Sequence, residues 1–129
     1  MSVDLRAPKD EHVTRALGLL DRAVKDAAAS EGVSHELEHY WRVPPTPFHP
    51  EVVDVVERAA KSLGARYRRI LSGAGHDAQY MAAICPTGMI FVPSKNGRSH
   101  CEEEFTPWEE IEHGANTLLL ASLELARQV

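Results

Sequence analysis

The chain has 129 residues, two cysteines and a net charge of −5, and 43% of its residues are hydrophobic. This length and composition predict one globular domain or two small lobes with a real hydrophobic core. The negative charge and the lack of a basic run exclude a typical nucleic-acid-binding domain. No apolar run is long enough to span a bilayer and no apolar leader begins the chain, so we expect no membrane partner. Two cysteines form no disulfide framework and fit a reducing compartment, so we expect a cytoplasmic protein.

Residues 1–43 predict a β-α-β lobe. Val3-Asp4-Leu5 is typical of a short strand, and a helix follows that Asp10 can cap and Gly32 can end. Residues 33–43 then alternate apolar and polar side chains, which is typical of a half-buried strand. The predicted buried face of the helix repeats at helical spacing and comprises Val13, Leu17, Leu20, Val24 and Ala28.

Pro44, Pro45 and Pro47 predict a hinge at residues 44–50, and residues 51–129 predict a second body with the order α-β-α-β-α. Pro50 suits the first position of a helix. Strands are predicted at 67–71 and 89–92, and the second of these lacks alternation, as in a strand covered on both faces. We expect these two strands to be parallel neighbours, joined by a short helix that begins near His76. The predicted fold class is therefore α/β.

The last helix is predicted to begin at Thr106-Pro107 and to carry one apolar face toward the core. The residues expected on this buried face are Trp108, Ile111, Ala115, Leu118, Leu119, Ser122 and Leu125.

The segment Ser72-Gly73-Ala74-Gly75-His76-Asp77-Ala78-Gln79 is the most informative motif in the chain. A glycine turn between a strand and a helix leaves backbone N–H groups free, and such groups bind carboxylates and phosphates. Ser99-His100 follows in a loop after the 89–92 strand, where open α/β sheets place functional groups. Together these features predict an anion site and a metal-ligating histidine at strand ends.

Several motifs in this order resemble the C-terminal portion of the amidase/hydantoinase/carbamoylase family. This zinc-dependent group includes N-carbamoyl-L-amino-acid hydrolase, β-ureidopropionase and allantoate amidohydrolase. The resemblance covers nearly the whole chain, and the long glycine motif at its distance from Ser-His makes it specific. The motifs are Asp4-Leu5-Arg6, Leu63-Gly64, residues 72–78, Met89-Ile90-Phe91-Val92-Pro93-Ser94, Gly97-Arg98-Ser99-His100 and Glu104-Phe105-Thr106.

The resemblance implies hydrolysis of a C–N bond in a ureido or amide group of a small carboxylate. It assigns zinc ligation to His100 and binding of the substrate carboxylate to Arg6, with backbone donors from Gly73, Ala74 and Gly75. It also implies that residues 1–43 are the end of a lid or dimerisation lobe and that 51–129 end the catalytic domain. A homo-oligomer, most simply a dimer, is the expected assembly.

The chain departs from the family pattern because such enzymes are much longer. Their missing part carries the remaining zinc ligands and the catalytic glutamate, so no catalytic residue is assigned here. A catalytic zinc needs about three protein ligands and an open water position. We therefore expect the chain to be inactive alone, unless a separate N-terminal half completes it.

Two alternatives remain open at the level of the sequence. His76 and Asp77 either orient a metal ligand from the second coordination shell or simply begin the helix. The chain as a whole is either the C-terminal segment of a zinc amidohydrolase or a stand-alone, non-catalytic domain that self-associates and binds small carboxylates.

Overall fold

The computed structural model describes residues 1–127. It contains four α-helices, α1 (Asp10–Glu31), α2 (Pro50–Ser62), α3 (Ala78–Ala82) and α4 (Trp108–Ala126), and a 3₁₀ turn at Lys95–Gly97. The chain divides into two compact units. The first unit contains Met1–Thr46 and Leu71–Ala74, and the second contains Pro47–Ile70 and the residues from Gly75 onward. The prediction of a 1–43 lobe, a 44–50 hinge and a 51–129 catalytic portion concerns roles in a larger protein and stays a prediction.

In the first unit, α1 confirms the predicted helix and its inward face. Ala28 is buried and the four larger residues of that face are half-buried. Gly32 follows the helix in the left-handed conformation (φ 64°), where a side chain would be strained, and it ends α1 as predicted. Lys9, not Asp10, is the N-cap residue.

The segment after α1 is exposed, so the predicted half-buried strand at 33–43 is wrong for this structure. Polar bonds to α1 hold it instead. His39 Nε2 lies 2.9 Å from Asp21 Oδ1, and Arg42 Nη2 lies 2.7 Å from Asp10 Oδ2 and 2.7 Å from Thr14 Oγ1. The alternating pattern predicts a strand with one buried face, but no apolar surface of the described residues covers this segment.

In the second unit, α2 packs against α4 around a small core. Val55 and Ala59 of α2 and Ala121 of α4 are buried, and Val56 and Leu125 pack beside them. Small side chains at the contact let the two helix backbones approach closely. An ion pair also connects the two helices, with Arg58 Nη2 2.5 Å from Glu124 Oε1.

The face of α4 that the sequence predicts to be buried is largely exposed. Thr117 and Ala121 are buried, whereas Trp108 is 75% exposed and Leu118 is 59% exposed. Helix α4 is apolar on more than one side, so periodicity could not choose which side meets α2. The small-residue side packs closely, and the bulky side has no partner among residues 1–127.

No β-strand forms among residues 1–127, so the predicted strands at 3–5, 33–43, 67–71 and 89–92 are not present there. The expected parallel pairing of 67–71 with 89–92 is therefore absent as well. A strand exists only when a neighbouring backbone completes its hydrogen-bond ladder. These segments have strand-like side-chain patterns, but no described residue pairs with them in this way. The helical part of the α/β prediction is confirmed, and its β-α-β lobe is not.

No helix of the described residues is both long enough and apolar enough to cross a membrane.

Candidate functional site

Arg6, the predicted carboxylate-binding residue, lies next to the glycine motif in the first unit. Its Nη1 donates to the backbone carbonyl of Gly73 at 2.5 Å, across 67 positions of sequence. Its Nε and Nη2 donate to Asp4 Oδ2 at 3.0 and 2.6 Å. The structure thus brings together two of the predicted site residues and adds Asp4.

Hydrogen bonding and opposite charge both stabilise the ionised forms of Asp4 and Arg6. The Arg6 bond and charge hold the pKa of the Asp4 carboxyl below its usual range, and Asp4 in turn raises the pKa of Arg6. Both groups are charged at neutral pH, and more than half of each side chain is exposed. An arginine in this state can bind a small carboxylate from solvent through its planar fork.

The glycine motif differs from the expected helix-opening cradle in two ways. Helix α3 begins only at Ala78 and has five residues, so its dipole contributes little at Gly73. The Ala74 N–H already donates to Ser72 Oγ at 3.2 Å, which removes one of the three expected free amides. The space around Gly73 is open, because a Cβ built there would meet no described atom within 4 Å apart from those of its two chain neighbours. Gly75 begins the next stretch of the second unit.

His76 and Asp77 lie at the start of α3, as the simpler of the two interpretations requires. His76 Nδ1 accepts a hydrogen bond from the Ala78 N–H at 3.0 Å, and Asp77 is the N-cap residue. The His76 ring therefore supplies the first acceptor of the helix. Their predicted second-shell role toward a metal stays a prediction.

His100, the predicted zinc ligand, lies in a tight loop of the second unit. Its backbone adopts the left-handed conformation (φ 57°), and its N–H donates to Glu104 Oε2 at 2.7 Å. Asn96 is also left-handed (φ 60°), and Lys95 N–H donates to the Phe105 carbonyl at 2.8 Å across the base of the loop. Backbone bonds and one carboxylate therefore fix how the loop presents His100.

The potential metal-ligating side chains around His100 do not form a zinc site by themselves. Among residues 1–127, no group of three or more His, Cys, Asp or Glu side chains is placed to hold one metal ion. Glu104 is engaged with the His100 backbone, and Cys101 is a free, exposed thiol. A catalytic zinc needs about three protein ligands. His100 fits only as one member of a larger ligand set.

Sequence reasoning missed the parts played by Asp4 and Glu104. Asp4 and Arg6 are two positions apart in an extended segment, and that spacing places both side chains on one side of the backbone. Glu104 is the first residue of the Glu104-Phe105-Thr106 motif, and α4 begins four positions later at Trp108. A carboxylate four residues after a loop histidine, with no intervening helix, is the signal from which a loop-closing bond could have been predicted.

Comparison with known proteins identifies the group to which these motifs belong. Residues 7–124 match the profile of peptidase family M20/M25/M40. An N-carbamoyl-L-amino-acid amidohydrolase from Paenarthrobacter aurescens is 34% identical over 126 residues, which are 98% of this chain and 31% of that protein. An allantoate amidohydrolase from Escherichia coli (strain K12) is 42% identical over 84 residues, which are 65% of this chain and 20% of that protein.

A solved structure gives the same result for the fold. The crystal structure of an amidase of the hydantoinase/carbamoylase family from Burkholderia multivorans superposes with a TM-score of 0.86 at 42% identity. The match covers 92% of this chain and 29% of that one. The chain thus spans less than a third of the length of each of these relatives. On this basis the chain belongs to peptidase family M20/M25/M40 and is similar to its hydantoinase/carbamoylase amidase relatives.

Proposed function

We propose that this chain is the carboxylate-binding part of an amidohydrolase that cleaves a C–N bond in an N-carbamoyl (ureido) or amide group of a small carboxylate. The likeness to N-carbamoyl-amino-acid and allantoate amidohydrolases supports the reaction class. The observation that carries the proposal is the fixed position of the Arg6 guanidinium against the Gly73 carbonyl.

Arg6 and Gly73 have complementary tasks in this proposal. The guanidinium binds the substrate carboxylate with two parallel N–H bonds, which sets its orientation as well as its affinity. The open space at Gly73 lets the substrate approach the backbone closely. Gly75 remains a predicted contributor of a backbone donor.

His100 is proposed to supply one zinc ligand in the complete enzyme. The remaining ligands and the general base come from residues outside this chain, either in the same polypeptide or in a separate N-terminal half. When bound in the complete enzyme, zinc would be held in part by His100 and would supply Lewis-acid chemistry. The chain alone is therefore proposed to be inactive.

A second candidate function is a non-catalytic, self-associating domain. The bulky face of α4 favours it, because Trp108, Leu118, Leu119 and Leu123 are all exposed. Contiguous exposed apolar side chains commonly mark a surface that another protein covers. A dimer of this chain is proposed to bury that face, and this assembly is compatible with carboxylate binding through Arg6.

Titration of the ¹⁵N-labelled chain with an N-carbamoyl amino acid, followed by NMR, tests the proposal. The amides of Gly73 and Ala74 should shift, and the corresponding carboxamide, which has no negative charge, should shift them far less. Arg6→Gln should abolish the response. Arg15→Gln is the matched control, because it removes the same charge from an exposed arginine that forms no ion pair among the described residues. Equal responses to the carboxylate and the carboxamide would contradict the proposal.

A further inference from the structure

We propose that Asp4 is a positioning residue that orients the Arg6 guanidinium for carboxylate binding. The inference rests on the proposed function, since it assigns a task to a neighbour of the proposed carboxylate-binding residue. It goes further because the family resemblance gave Asp4 no role.

The geometry places Asp4 on one edge of the Arg6 fork. Asp4 Oδ2 accepts from both Nε and Nη2, at 3.0 and 2.6 Å, and therefore occupies the edge of the guanidinium that contains Nε. Nη1 is held separately by the Gly73 carbonyl. The guanidinium is thus fixed at two points, by a neighbour in sequence and by a residue 67 positions away.

The Arg6 guanidinium can still bind a ligand, because Asp4 and Gly73 do not use all of its N–H donors. A guanidinium has five N–H donors, and Asp4 and Gly73 use three of them. The remaining hydrogens belong to Nη1 and Nη2, one on each. Because the Arg6 side chain is 60% exposed, a carboxylate in solvent can reach them.

Asp4 has two opposing effects on an incoming anion. Its negative charge weakens the attraction of Arg6 for a second carboxylate, but water and salt screen this repulsion at an exposed site. Its two hydrogen bonds immobilise a long side chain before the ligand arrives, so binding does not have to pay that ordering cost. We infer that the second effect is the larger one.

The test combines a spectroscopic reading of Arg6 with carboxylate titration of the whole chain. In the wild type, the Arg6 Nε–H should give a resolved, slowly exchanging ¹H–¹⁵N signal because Asp4 holds it. Asp4→Ala should remove this signal and weaken binding of an N-carbamoyl amino acid about two- to tenfold, the range that corresponds to ordering one flexible side chain. Asp4→Glu should restore part of both.

Asp26→Asn is the charge control, because it removes one negative charge from an exposed position of α1 in the same unit. It should leave the Arg6 signal and the affinity unchanged. An unaltered Nε–H signal in Asp4→Ala, or tighter binding by that variant, would overturn the inference. If the signal depends on Asp4 but the wild type binds no carboxylate, the proposed function fails while the orientation of Arg6 by Asp4 stands.

Discussion

The Glu104 carboxylate accepts a hydrogen bond from the His100 backbone N–H at 2.7 Å, and this bond closes the loop that presents the imidazole. His100 has a left-handed backbone (φ 57°), which non-glycine residues rarely adopt. The hydrogen bond that the His100 N–H donates to a charged acceptor compensates for that conformation. Thus a backbone contact, and not a contact to the ring, connects Glu104 to the predicted metal ligand.

The first prediction concerns this bond. Glu104→Ala should move the His100 amide proton upfield and shift its ¹³Cα and ¹³Cβ resonances away from left-handed values, because the acceptor is lost. Glu104→Gln should retain part of the effect through its amide oxygen. Glu102→Ala serves as the control, since its side chain makes no bond to His100 among the described residues. An unchanged His100 amide in Glu104→Ala would show that the bond does not hold the loop.

A second prediction follows from the close approach of Gly114 to Val92. A Cβ at position 114 would collide with Val92 Cγ1, so Gly114→Ala should lower the free energy of unfolding by about 1–3 kcal/mol, as overpacking commonly does. Adding Val92→Ala should recover part of that loss. Gly18→Ala, in α1, should instead stabilise by about 0.5–1 kcal/mol, because the new Cβ meets no atom within 4 Å apart from its chain neighbours and the backbone of its own helix. Urea unfolding followed by circular dichroism measures all three, and equal effects at positions 18 and 114 would contradict the packing described.

The third prediction concerns the pH dependence of the second unit. Arg69 bonds to Glu57 and Asp54, and Lys61 and Tyr67 also bond to Glu57. Hydrogen bonds from Arg69 and then Lys61 lower the pKa of Glu57 to about 2. Because the folded-state pKa lies below the usual 4.5, the stabilisation is complete above pH 4.5 and is lost as pH falls toward 2.

NMR titration of the Glu57 side-chain carboxyl measures this effect. Arg69→Gln should raise the pKa of Glu57 toward its usual value, whereas Arg68→Gln, at an exposed neighbour with no ion pair in the described part of the chain, should leave it unchanged. A Glu57 pKa near 4.5 in the wild type would show that this ion-pair cluster does not form in solution.

The fourth prediction concerns self-association through the bulky face of α4. Replacing Leu118 and Leu119 with glutamine should reduce the mass measured by light scattering at high concentration, because burial of these side chains drives the association. Leu19→Gln is the matched control, since Leu19 is comparably exposed (52%) but lies on α1. A wild-type chain that stays monomeric at high concentration would contradict the proposed dimer.

The sequence predicted the helices well because their signals are local. Pro50 begins α2, and Gly32 ends α1 at a positive φ, both as expected. Helices satisfy their own backbone groups, so periodicity and capping residues are sufficient to find them.

The strands could not be predicted in the same way, because a strand depends on a partner that periodicity does not reveal. Residues 89–92 have the apolar composition of a covered strand, yet Phe91 and Val92 are exposed here. The prediction of the buried face of α4 was wrong for a related reason. Ala121 and Thr117 are the buried residues of this helix, whereas the larger side chains that dominate its hydrophobic pattern lie on the other side.

The candidate site was predicted in its parts but not in its connections. The motif identified Arg6 and Gly73, and the structure joins them by a hydrogen bond. Asp4 acts through two hydrogen bonds from Arg6, and Glu104 acts through one from the His100 backbone. These bonds depend on loop geometry that spacing alone did not determine.

The central claim is that this chain provides carboxylate-binding groups but only one ligand of a metal site. The most direct test measures the zinc retained by the purified chain and its hydrolysis of N-carbamoyl amino acids and allantoate, with His100→Asn for comparison. Because one histidine binds zinc weakly, the account predicts no stoichiometric zinc and no turnover by either protein. Zinc-dependent turnover by the chain alone that disappears in His100→Asn would contradict it.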